Sequence, residues 1–374
     1  MSRPIVTSYA DITEPCNGRS RRVTALLESL NGECLLIQPH RHHPACETEV
    51  FPIDLGRRKI GINWGIFNFY LPPNRRVAER TLKERKPKVI VLTSIFDFPV
   101  VRSCPDARIL LDAENVDAST IEQQYGPKHW FTRRVDAVER RVLRHVDHVF
   151  VCSQDDHALF QSRYGVSEDR MSVVPNGVDI RAMQRDGDGH LPDGLRESLE
   201  GRTVLFFMGK QDYEPNREAL NFMDTVLMPE LEARAPGRFA LLCLGGPKPK
   251  GLRCPSIIAT GNVPHIQPYI ARADICVAPL FKGGGTRLKI LEYLGANKPV
   301  VVTPKAAEGI ALANGVHGVI TEAREFADRI LELAASPKHA AAMAQAGCDH
   351  AAALYDWSGI KPGWSRVIDR YSRD

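Results

Sequence analysis

The sequence lacks the features that mark several large classes of protein. None of its apolar runs approaches the roughly 18 residues of a membrane-spanning helix. The first residues, MSRPIVTSYADITEPC, contain no apolar segment of the about 7–15 residues found in signal peptides. The net charge of +4 and the pI near 8.5 are mild, whereas a nucleic-acid-binding domain typically has a pI above about 9. These absences favour a cytoplasmic protein that handles small anionic molecules.

The cysteines lack the spacing of a metal site or a disulfide framework. There are nine of them, an odd number, and no pair shows the Cys-x-x-Cys pattern. Four lie inside apolar runs, where a free thiol behaves as a small hydrophobic side chain: Cys34, Cys152, Cys243 and Cys276. The pattern predicts a reducing compartment.

Several catalytic motifs are missing or misplaced. No strand candidate is followed by Gly-x-Gly-x-x-Gly, and there is no Gly-x-Ser-x-Gly elbow or P-loop. The Asp-x-Asp pair Asp186 and Asp188 lies in a polar stretch rather than after a strand. Four possible zinc ligands cluster elsewhere: His40, His42, His43 and Cys46. Because no second ligand pair lies at zinc-finger spacing, a polar loop is the simpler interpretation, and we expect no zinc site at these four residues.

Short apolar runs alternate with helical patterns along almost the whole chain. In the first half they are PIVTSY (4–9), ECLLIQP (33–39), ETEVFPI (47–53), KVIVLTS (88–94), RILLDA (108–113), HVFVCS (148–153) and MSVVPN (171–176). In the second half they are TVLFFMG (203–209), FALLCLGG (239–246), SIIATGNV (256–263), DICVAPL (274–280) and KPVVVTP (298–304). Such runs are typical of parallel strands covered by helices on both faces. The sequence therefore predicts an α/β protein with two doubly wound domains, residues 1–180 and 201–354, joined by a polar linker at 181–200.

The stretch FKGGGTRLKILEYLGANKPVVV (281–302) combines permissive backbone with charge. Three glycines, Gly283, Gly284 and Gly285, separate a predicted strand from a predicted helix. Amides at a helix N-terminus bind phosphate, and glycine lets the ligand approach closely. Thr286 is placed to cap this helix.

Two cations open the same helix. Arg287 and Lys289 lie in the predicted first turn, where the helix dipole disfavours positive charge, so we infer an anionic ligand. Lys289 and Glu292 are three residues apart and share a face. The alternative interpretation is a solvated ion pair beside a flexible loop.

These residues carry a resemblance to a known family. GGGTRLKILEYLGANKPVVVTPKAAEG resembles the C-terminal signature of retaining GT-B glycosyltransferases of family 4 (group 1), in a variant subgroup without the full Glu-x7-Glu motif. MGKQDYEPNREAL (208–220), SVVPNGVD (172–179) and the DWS near residue 357 are similar to further elements of that family. The resemblance implies two Rossmann-like domains facing a cleft. It also implies that residues 355–374 form a helix crossing back to the first domain.

The resemblance also implies roles for single residues. Glu292 matches the carboxylate that holds the nucleotide ribose, while the first glutamate of the motif is replaced by Gly284. Lys210 stands where the family has a diphosphate-binding arginine and would act with Arg287 or Lys289, unless it is only a surface lysine. The donor-binding candidates are Gly18, Gly209, Gly261, Val263, Gly283, Gly284, Gly285, Thr286, Leu288 and Glu292.

The first half offers candidates near the sugar and the acceptor. Glu114 stands where the family has a histidine that faces the sugar, so it is a catalytic or specificity candidate, or simply a residue at a helix start. Asp11 and Glu14 are the only acids near the end of the first strand, and the lack of an evident general base favours retention. The aromatic and then basic residues 61–88 predict peripheral contact with the inner face of a membrane, or a helix packed on the core. The basic stretch 128–144 has the spacing of a packed helix with a solvated face.

The sequence thus predicts a metal-independent, retaining glycosyltransferase of the hexosyltransferase type, active in carbohydrate biosynthesis. Its co-substrate would be a nucleotide-sugar, and its acceptor a sugar, a lipid-linked molecule or another small molecule, with no role for nucleic acid. Two alternatives stay open. One is a GT-B nucleotide-sugar epimerase, and the other is a catalytically silent nucleotide-sugar-binding protein.

Overall fold

The computed structural model describes residues 3–13, 18–39, 41–52, 54, 59–60, 62–185, 191–211, 213–246, 249, 251–283 and 286–373. The chain divides into two units, each built around its own parallel sheet. The first unit comprises Met1–Asn176 and Trp357–Asp374, and the second comprises Gly177–Asp356.

The first unit is a doubly wound sheet. Its strands are β1 (Ile5–Thr7), β2 (Leu35–Pro39), β3 (Glu47–Phe51), β6 (Val89–Leu92), β7 (Arg108–Ala113), β8 (His148–Val151) and β9 (Met171–Val173), and β4 (Lys59–Ile60) and β5 (Ile62–Asn63) form a separate antiparallel pair. The sheet order is β3-β2-β1-β6-β7-β8-β9, with every neighbouring pair parallel. The order reverses direction between β1 and β6. In such sheets ligands bind at the carboxyl ends of the strands beside this switch point.

Helices cover both faces of the first sheet. The α-helices are α1 (Gly18–Ser29), α2 (Pro72–Arg85), α3 (Asp117–Tyr125), α4 (Trp130–Leu143) and α5 (Gln154–Tyr164), and 3₁₀ helices span Trp64–Tyr70, Ile95–Ser103 and Glu168–Arg170. Two apolar clusters, one on each side of the sheet, hold these helices.

The second unit repeats the same architecture. Its strands are β10 (Thr203–Met208), β11 (Phe239–Leu244), β12 (Ile257–Gly261), β13 (Ile275–Ala278), β14 (Val300–Val302) and β15 (Val319–Ile320). They are all parallel in the order β12-β11-β10-β13-β14-β15, so the switch point lies between β10 and β13.

Its helices follow the strands in the usual alternation. The α-helices are α6 (Ile180–Gln184), α7 (Asp193–Ser198), α8 (Glu214–Phe222), α9 (Met228–Arg234), α10 (Gln267–Ala271), α11 (Leu288–Gly295), α12 (Pro304–Ala307), α13 (Phe326–Ala335) and α14 (Pro337–Tyr355). A π-helical turn spans Met223–Leu227, and a 3₁₀ turn spans Ala323–Glu325.

The end of the chain belongs to the first unit. It forms α15 (Trp357–Ile360) and α16 (Pro362–Arg373), with Trp364 fully buried. The Trp364 indole donates to Asp112 Oδ1 at 2.9 Å, and the buried Arg22 binds both oxygens of the same carboxylate at 2.9 and 2.7 Å. Because every charge in this set is paired, its burial is tolerated and α16 is fixed to the sheet.

The α/β fold with two doubly wound sheets is confirmed, and each predicted strand contains an observed one. The sequence analysis did not predict β4, β5 or β15, each of which is only two residues long. Residues 181–200, predicted as a linker, include most of α6 and all of α7 and belong to the second unit. Asp179 starts α6 early because its carboxylate accepts from Ala182 N at 2.8 Å. In the described part of the chain no helix is long and apolar enough to cross a bilayer.

Candidate functional site

At the switch point of the second sheet, one asparagine joins the loop after β10 to helix α11. Asn216 Nδ2 donates to the carbonyl oxygen of Lys210 at 2.9 Å, and Lys289 Nζ donates to Asn216 Oδ1 at 2.7 Å. Gly209 has φ +154°, and a Cβ there would lie 2.5 Å from Asn216 Nδ2. Glycine at 209 is therefore needed for this junction, which brings together the predicted residues Gly209, Lys210 and Lys289.

Lys289 occupies an unusual environment for a lysine. Its Nζ lies 4.3 Å from the centre of the Phe207 ring, and the side chain is partly buried. Burial and, to a lesser extent, the neighbouring Arg287 lower the pKa of Lys289 to about 7, against an opposing effect of Glu292. A bound anion would favour the charged form of Lys289.

Arg287, two residues before Lys289, contacts the loop after β13. It is buried, and its Nη2 donates to the carbonyl oxygen of Gly283 at 2.8 Å. A Cβ on Gly283, whose φ is +113°, would lie 3.6 Å from both Arg287 Nη2 and the Tyr213 hydroxyl. The loop after β13 and the loop after β10 therefore approach each other here. Gly284 and Gly285 lie outside the described residues.

The predicted cap of this helix is wrong by one position. Helix α11 begins at Leu288, and its N-cap residue is Arg287, with no side-chain cap hydrogen bond. Thr286 precedes the cap and is buried, and its Oγ1 has no hydrogen-bond partner among the described residues. Gln211 Oε1, in the loop after β10, is a second buried atom without a partner. Buried polar atoms nearly always have partners, so both are candidates for contact with a ligand.

The remaining donor-site candidates of the second unit lie on α11, at the end of β12 and in the loops that follow β10 and β12. Glu292 is buried on α11, and Leu288 is partly buried against the core. Gly261 ends β12, and its carbonyl oxygen accepts from Gly245 N at 2.8 Å, while Val263 packs against the core. The side chain of Lys210 is exposed and makes no ion pair within the described ranges.

Two glycines that the sequence analysis did not identify, Gly245 and Gly246, pack closely against the backbone of the loop after β10. A Cβ on Gly245 would lie 2.7 Å from Gly209 O, and one on Gly246 would lie 2.6 Å from Gln211 N. Both glycines have positive φ, +98° and +70°. The signal was present, since Gly245 and Gly246 directly follow the strand FALLCL. Asn216 was equally visible as part of the Pro-Asn pair in YEPNRE.

The switch point of the first sheet has different chemistry. Glu114, after β7, lies with its Oε1 3.6 Å from Arg19 Nε, and burial raises the pKa of this carboxyl. Arg19 also donates to Thr93 O at 2.9 Å and lies 4.6 Å from the centre of the Tyr9 ring. Gly18 is the first residue of α1, directly before Arg19, and is exposed. Glu114 is thus held by an arginine that the sequence analysis did not single out.

Asp97 is a second acid at this edge, and the sequence analysis did not identify it. It is fully buried, and its Oδ2 accepts from Thr7 Oγ1 at 3.0 Å, while its Oδ1 has no hydrogen-bond partner among the described residues. Burial raises the pKa of Asp97 to about 7. Asp97 lies in the first turn of the 3₁₀ helix that Ser94 caps, and acids at such positions are common in sequences. Asp11 pairs with Arg41 at 2.6 Å, and Glu14 lies outside the described residues.

The other candidates give no further site. Within the described ranges no three His, Cys, Asp or Glu residues are grouped so as to hold a metal ion. His40, Asp186 and Asp188 lie outside those ranges. In residues 61–88, Phe69 is fully buried against Phe51, with ring centres 5.1 Å apart, so this part of the aromatic stretch packs on the core.

The structure defines a two-unit α/β protein of the GT-B type, and comparisons with known proteins agree. Its fold is similar to that of sucrose-phosphate synthase from Thermosynechococcus elongatus, with a TM-score of 0.75, 17% identity and 98% of each chain covered. The Anabaena protein HepE in complex with UDP-glucose gives a TM-score of 0.73 at 15% identity, over 98% of this chain and 100% of that one.

The family follows from sequence comparison. Residues 20–182 match the model of Glycosyltransferase Family 4, and residues 202–336 match that of Glycosyl transferases group 1. The chain belongs to the family 4, group 1 glycosyltransferases. A D-inositol 3-phosphate glycosyltransferase of Nocardiopsis dassonvillei is 23% identical over 62% of this chain and 56% of its own length. A glycogen synthase of Mycobacterium tuberculosis is 23% identical over 63% of this chain and 57% of its own. The chain thus spans little more than half the length of these curated relatives.

Proposed function

We propose that the protein transfers a hexose from a nucleoside diphosphate sugar to a hydroxyl, or another nucleophile, of an acceptor. The observation that carries this proposal is the cationic junction of Lys210, Asn216, Arg287 and Lys289 at the switch point of the second sheet. A diphosphate suits three cations, two buried polar atoms that make no hydrogen bond within the described ranges, and glycines that let a ligand approach the backbone. Family membership gives independent support.

The cations act on the leaving group in this proposal. The bond between the anomeric carbon and the diphosphate oxygen breaks, and the acceptor oxygen bonds to the same carbon. Negative charge then grows on the departing diphosphate. Preorganised cations in a partly dry site stabilise such charge better than water does. Lys289 suits this role because an arriving diphosphate would raise its pKa and keep it charged.

Retention of the anomeric configuration is part of the proposal. An inverting enzyme needs a side-chain base for the acceptor proton, whereas in a retaining reaction the departing phosphate oxygen takes it. Asp11 is bound by Arg41, and Asp97 is fully buried, so neither is suited to receive a proton from an acceptor in solution. An NMR coupling constant of the transferred sugar that shows the donor configuration would support retention, and an inverted one would overturn it.

The first unit is proposed to bind the acceptor, with Glu114 accepting a hydrogen bond from a hydroxyl of the acceptor or of the transferred sugar.

Chemistry without a metal or a resident cofactor is also part of the proposal, and activity unchanged by EDTA would support it. A cytoplasmic location is proposed because the cysteines of the described part are free thiols. Peripheral membrane contact through residues 61–88 has weak support, because three cations of α2 are already paired: Arg75 with Glu79, Arg80 with Glu49 and Arg85 with Glu47.

The donor is best sought by thermal-shift screening against UDP-, GDP-, ADP- and TDP-linked sugars. UDP-sugars come first because the similar HepE structure holds UDP-glucose. A ligand at about 100 times its Kd adds about 2.7 kcal/mol to the free energy of unfolding. The best donor is then incubated with and without acceptors. Transfer or slow donor hydrolysis supports the proposal, conversion to another nucleotide-sugar indicates an epimerase, and binding without turnover indicates a silent binder.

A further inference from the structure

Helix α4 of the first unit presents an unusual exposed stripe. At 100° per residue, positions 130, 133, 134, 137, 141 and 144 fall within about 100° of the helix circumference. They are Trp130, Arg133, Arg134, Ala137, Arg141 and Arg144, and all six are exposed. The opposite face, including Phe131, Val135 and Val142, is buried in the core. We call the six exposed residues the α4 stripe. It is about 21 Å long at 1.5 Å per residue.

The four arginines of the α4 stripe make no ion pair within the described part of the chain. The acids of this helix are used elsewhere. Asp136 pairs with Arg163 at 3.0 Å and with Arg140 at 3.5 Å. Glu139 is buried and accepts from the amides of Asp117 and Ala118, which start α3. The stripe therefore carries four positive charges and no negative one.

An aromatic cluster lies at the N-terminal end of the α4 stripe. Trp130 is 66% exposed and Tyr125 is 39% exposed, and Trp130 is the most exposed large hydrophobic side chain in the described part of the chain. The two are held by ring contacts rather than by burial. Trp130 lies 5.6 Å from the buried Phe131, and Tyr125 stacks on His129 at 5.1 Å. Both aromatics therefore stay presented to the surroundings.

We propose that the α4 stripe docks on the surface of an anionic lipid bilayer. Tryptophan and tyrosine rings favour the boundary between lipid and water, and unpaired arginines favour anionic headgroups. A bilayer satisfies both features at once, because Trp130 enters the headgroup region while the arginines contact lipid phosphates. Duplex nucleic acid would pair the arginines but leave Trp130 in water. This docking does not depend on the proposed transferase activity.

The structure also supplies a matched control surface on the same unit. Helix α2 exposes Arg76 and Lys83, which make no ion pair within the described residues. It lacks the α4 aromatic pair, although Tyr70 in the preceding 3₁₀ helix is 47% exposed. The double variants Arg134→Glu/Arg141→Glu and Arg76→Glu/Lys83→Glu change the net charge equally. A difference between them therefore reports position and not total charge.

The experiment is co-sedimentation of the full chain with vesicles of phosphatidylcholine alone or with about one-third phosphatidylglycerol. Wild type should bind only the anionic vesicles and should be released at 0.5 M NaCl, because salt screens exposed charges. Removing an arginine near an anionic surface costs about fivefold in affinity, so Arg134→Glu/Arg141→Glu should lose about 25-fold or more. The α2 variant should lose less than about threefold. Trp130→Ala should weaken binding without changing its salt dependence.

The outcomes separate docking from its alternatives. Tryptophan emission that shifts to shorter wavelength with anionic vesicles in wild type, and in neither Trp130→Ala nor the α4 charge variant, supports the proposal. Equal losses in the α2 and α4 variants, or equal binding to neutral vesicles, overturn it. The proposal is also overturned if wild type binds duplex DNA but no vesicles, and the α4 charge variant loses this affinity for DNA. Equal melting temperatures show that the variants are folded, and Arg134→Gln/Arg141→Gln replaces a double variant that fails this check.

Discussion

The carboxyl edges of the two sheets share one topology and carry opposite chemistry. In the second unit the switch point holds Lys210, Arg287 and Lys289. In the first unit it holds the buried Asp97 and the half-buried Glu114, which pairs with Arg19. Both edges also carry buried polar atoms that make no hydrogen bond within the described part of the chain, but these are a hydroxyl and an amide oxygen in one case and carboxylate oxygens in the other.

The difference lies in the loops that follow the strands and not in the strands themselves. The strands of both sheets are apolar and interchangeable in character, as expected for sheets buried on both faces. A cationic edge suits a diphosphate, whereas an acidic edge suits hydroxyl groups that donate hydrogen bonds. One architecture used twice can therefore serve the two substrates of a single transfer reaction.

The largest expected effect tests the cationic edge. Lys289→Ala should lower the turnover number about 100- to 1000-fold, because losing one preorganised group opposite a developing negative charge costs about that much. The matched control is Lys338→Ala, which removes an exposed lysine at the start of α14. Steady-state kinetics with the donor found by screening give the comparison. Wild-type turnover in Lys289→Ala would remove the leaving-group role.

The next effect tests the carboxylate at the same edge. Glu292→Ala should raise the Kd for the nucleoside diphosphate about 10- to 100-fold, since a hydrogen bond to a charged group contributes about 1.5–3 kcal/mol. Calorimetric titration measures it. Glu292→Gln should recover part of the affinity because an amide oxygen still accepts one hydroxyl. A Kd unchanged in Glu292→Ala would contradict the ribose assignment.

The pH dependence of donor binding is a further test of the cationic edge, because it reports on the charge of Lys289. Lys289 has a pKa of about 7 without ligand, and a bound diphosphate would raise this pKa. Binding therefore takes up a proton above pH 7, and affinity should fall by at most about tenfold per pH unit as the pH rises from about 7. Lys289→Arg, which stays charged, should flatten this profile. A flat wild-type profile between pH 6 and 9 would show that Lys289 does not contact the diphosphate.

The smallest expected effect concerns the acidic edge, and it is measured as a change in the free energy of unfolding. The pKa of Asp97 is about 7 when folded, above its ordinary 3.8, so the native state holds more protons between these values. The free energy of unfolding should therefore fall as the pH rises from about 4 to 7. Asp97→Asn should remove part of this fall, and the exposed Asp193→Asn should not. Identical urea-denaturation profiles for wild type and Asp97→Asn would contradict the burial argument.

The sheets were predictable because their apolar runs are distinctive even as isolated segments. The contacts of the site were not. Lys289 meets Asn216 across 73 residues of sequence, and only the folded sheet order brings them together. Thr286 was misjudged because a helix start shifts easily by one residue. Asp97 was missed because an acid after a serine cap is usually a surface residue, and its burial depends on Thr7 from a distant strand.

The proposed diphosphate site can be tested by a crystal structure with the preferred nucleoside diphosphate. Phosphate oxygens should lie within about 3 Å of Lys289 Nζ and Arg287, with the ribose at Glu292. A diphosphate bound instead at the acidic edge beside Asp97 and Glu114, with the junction of β10 and α11 unoccupied, would contradict it.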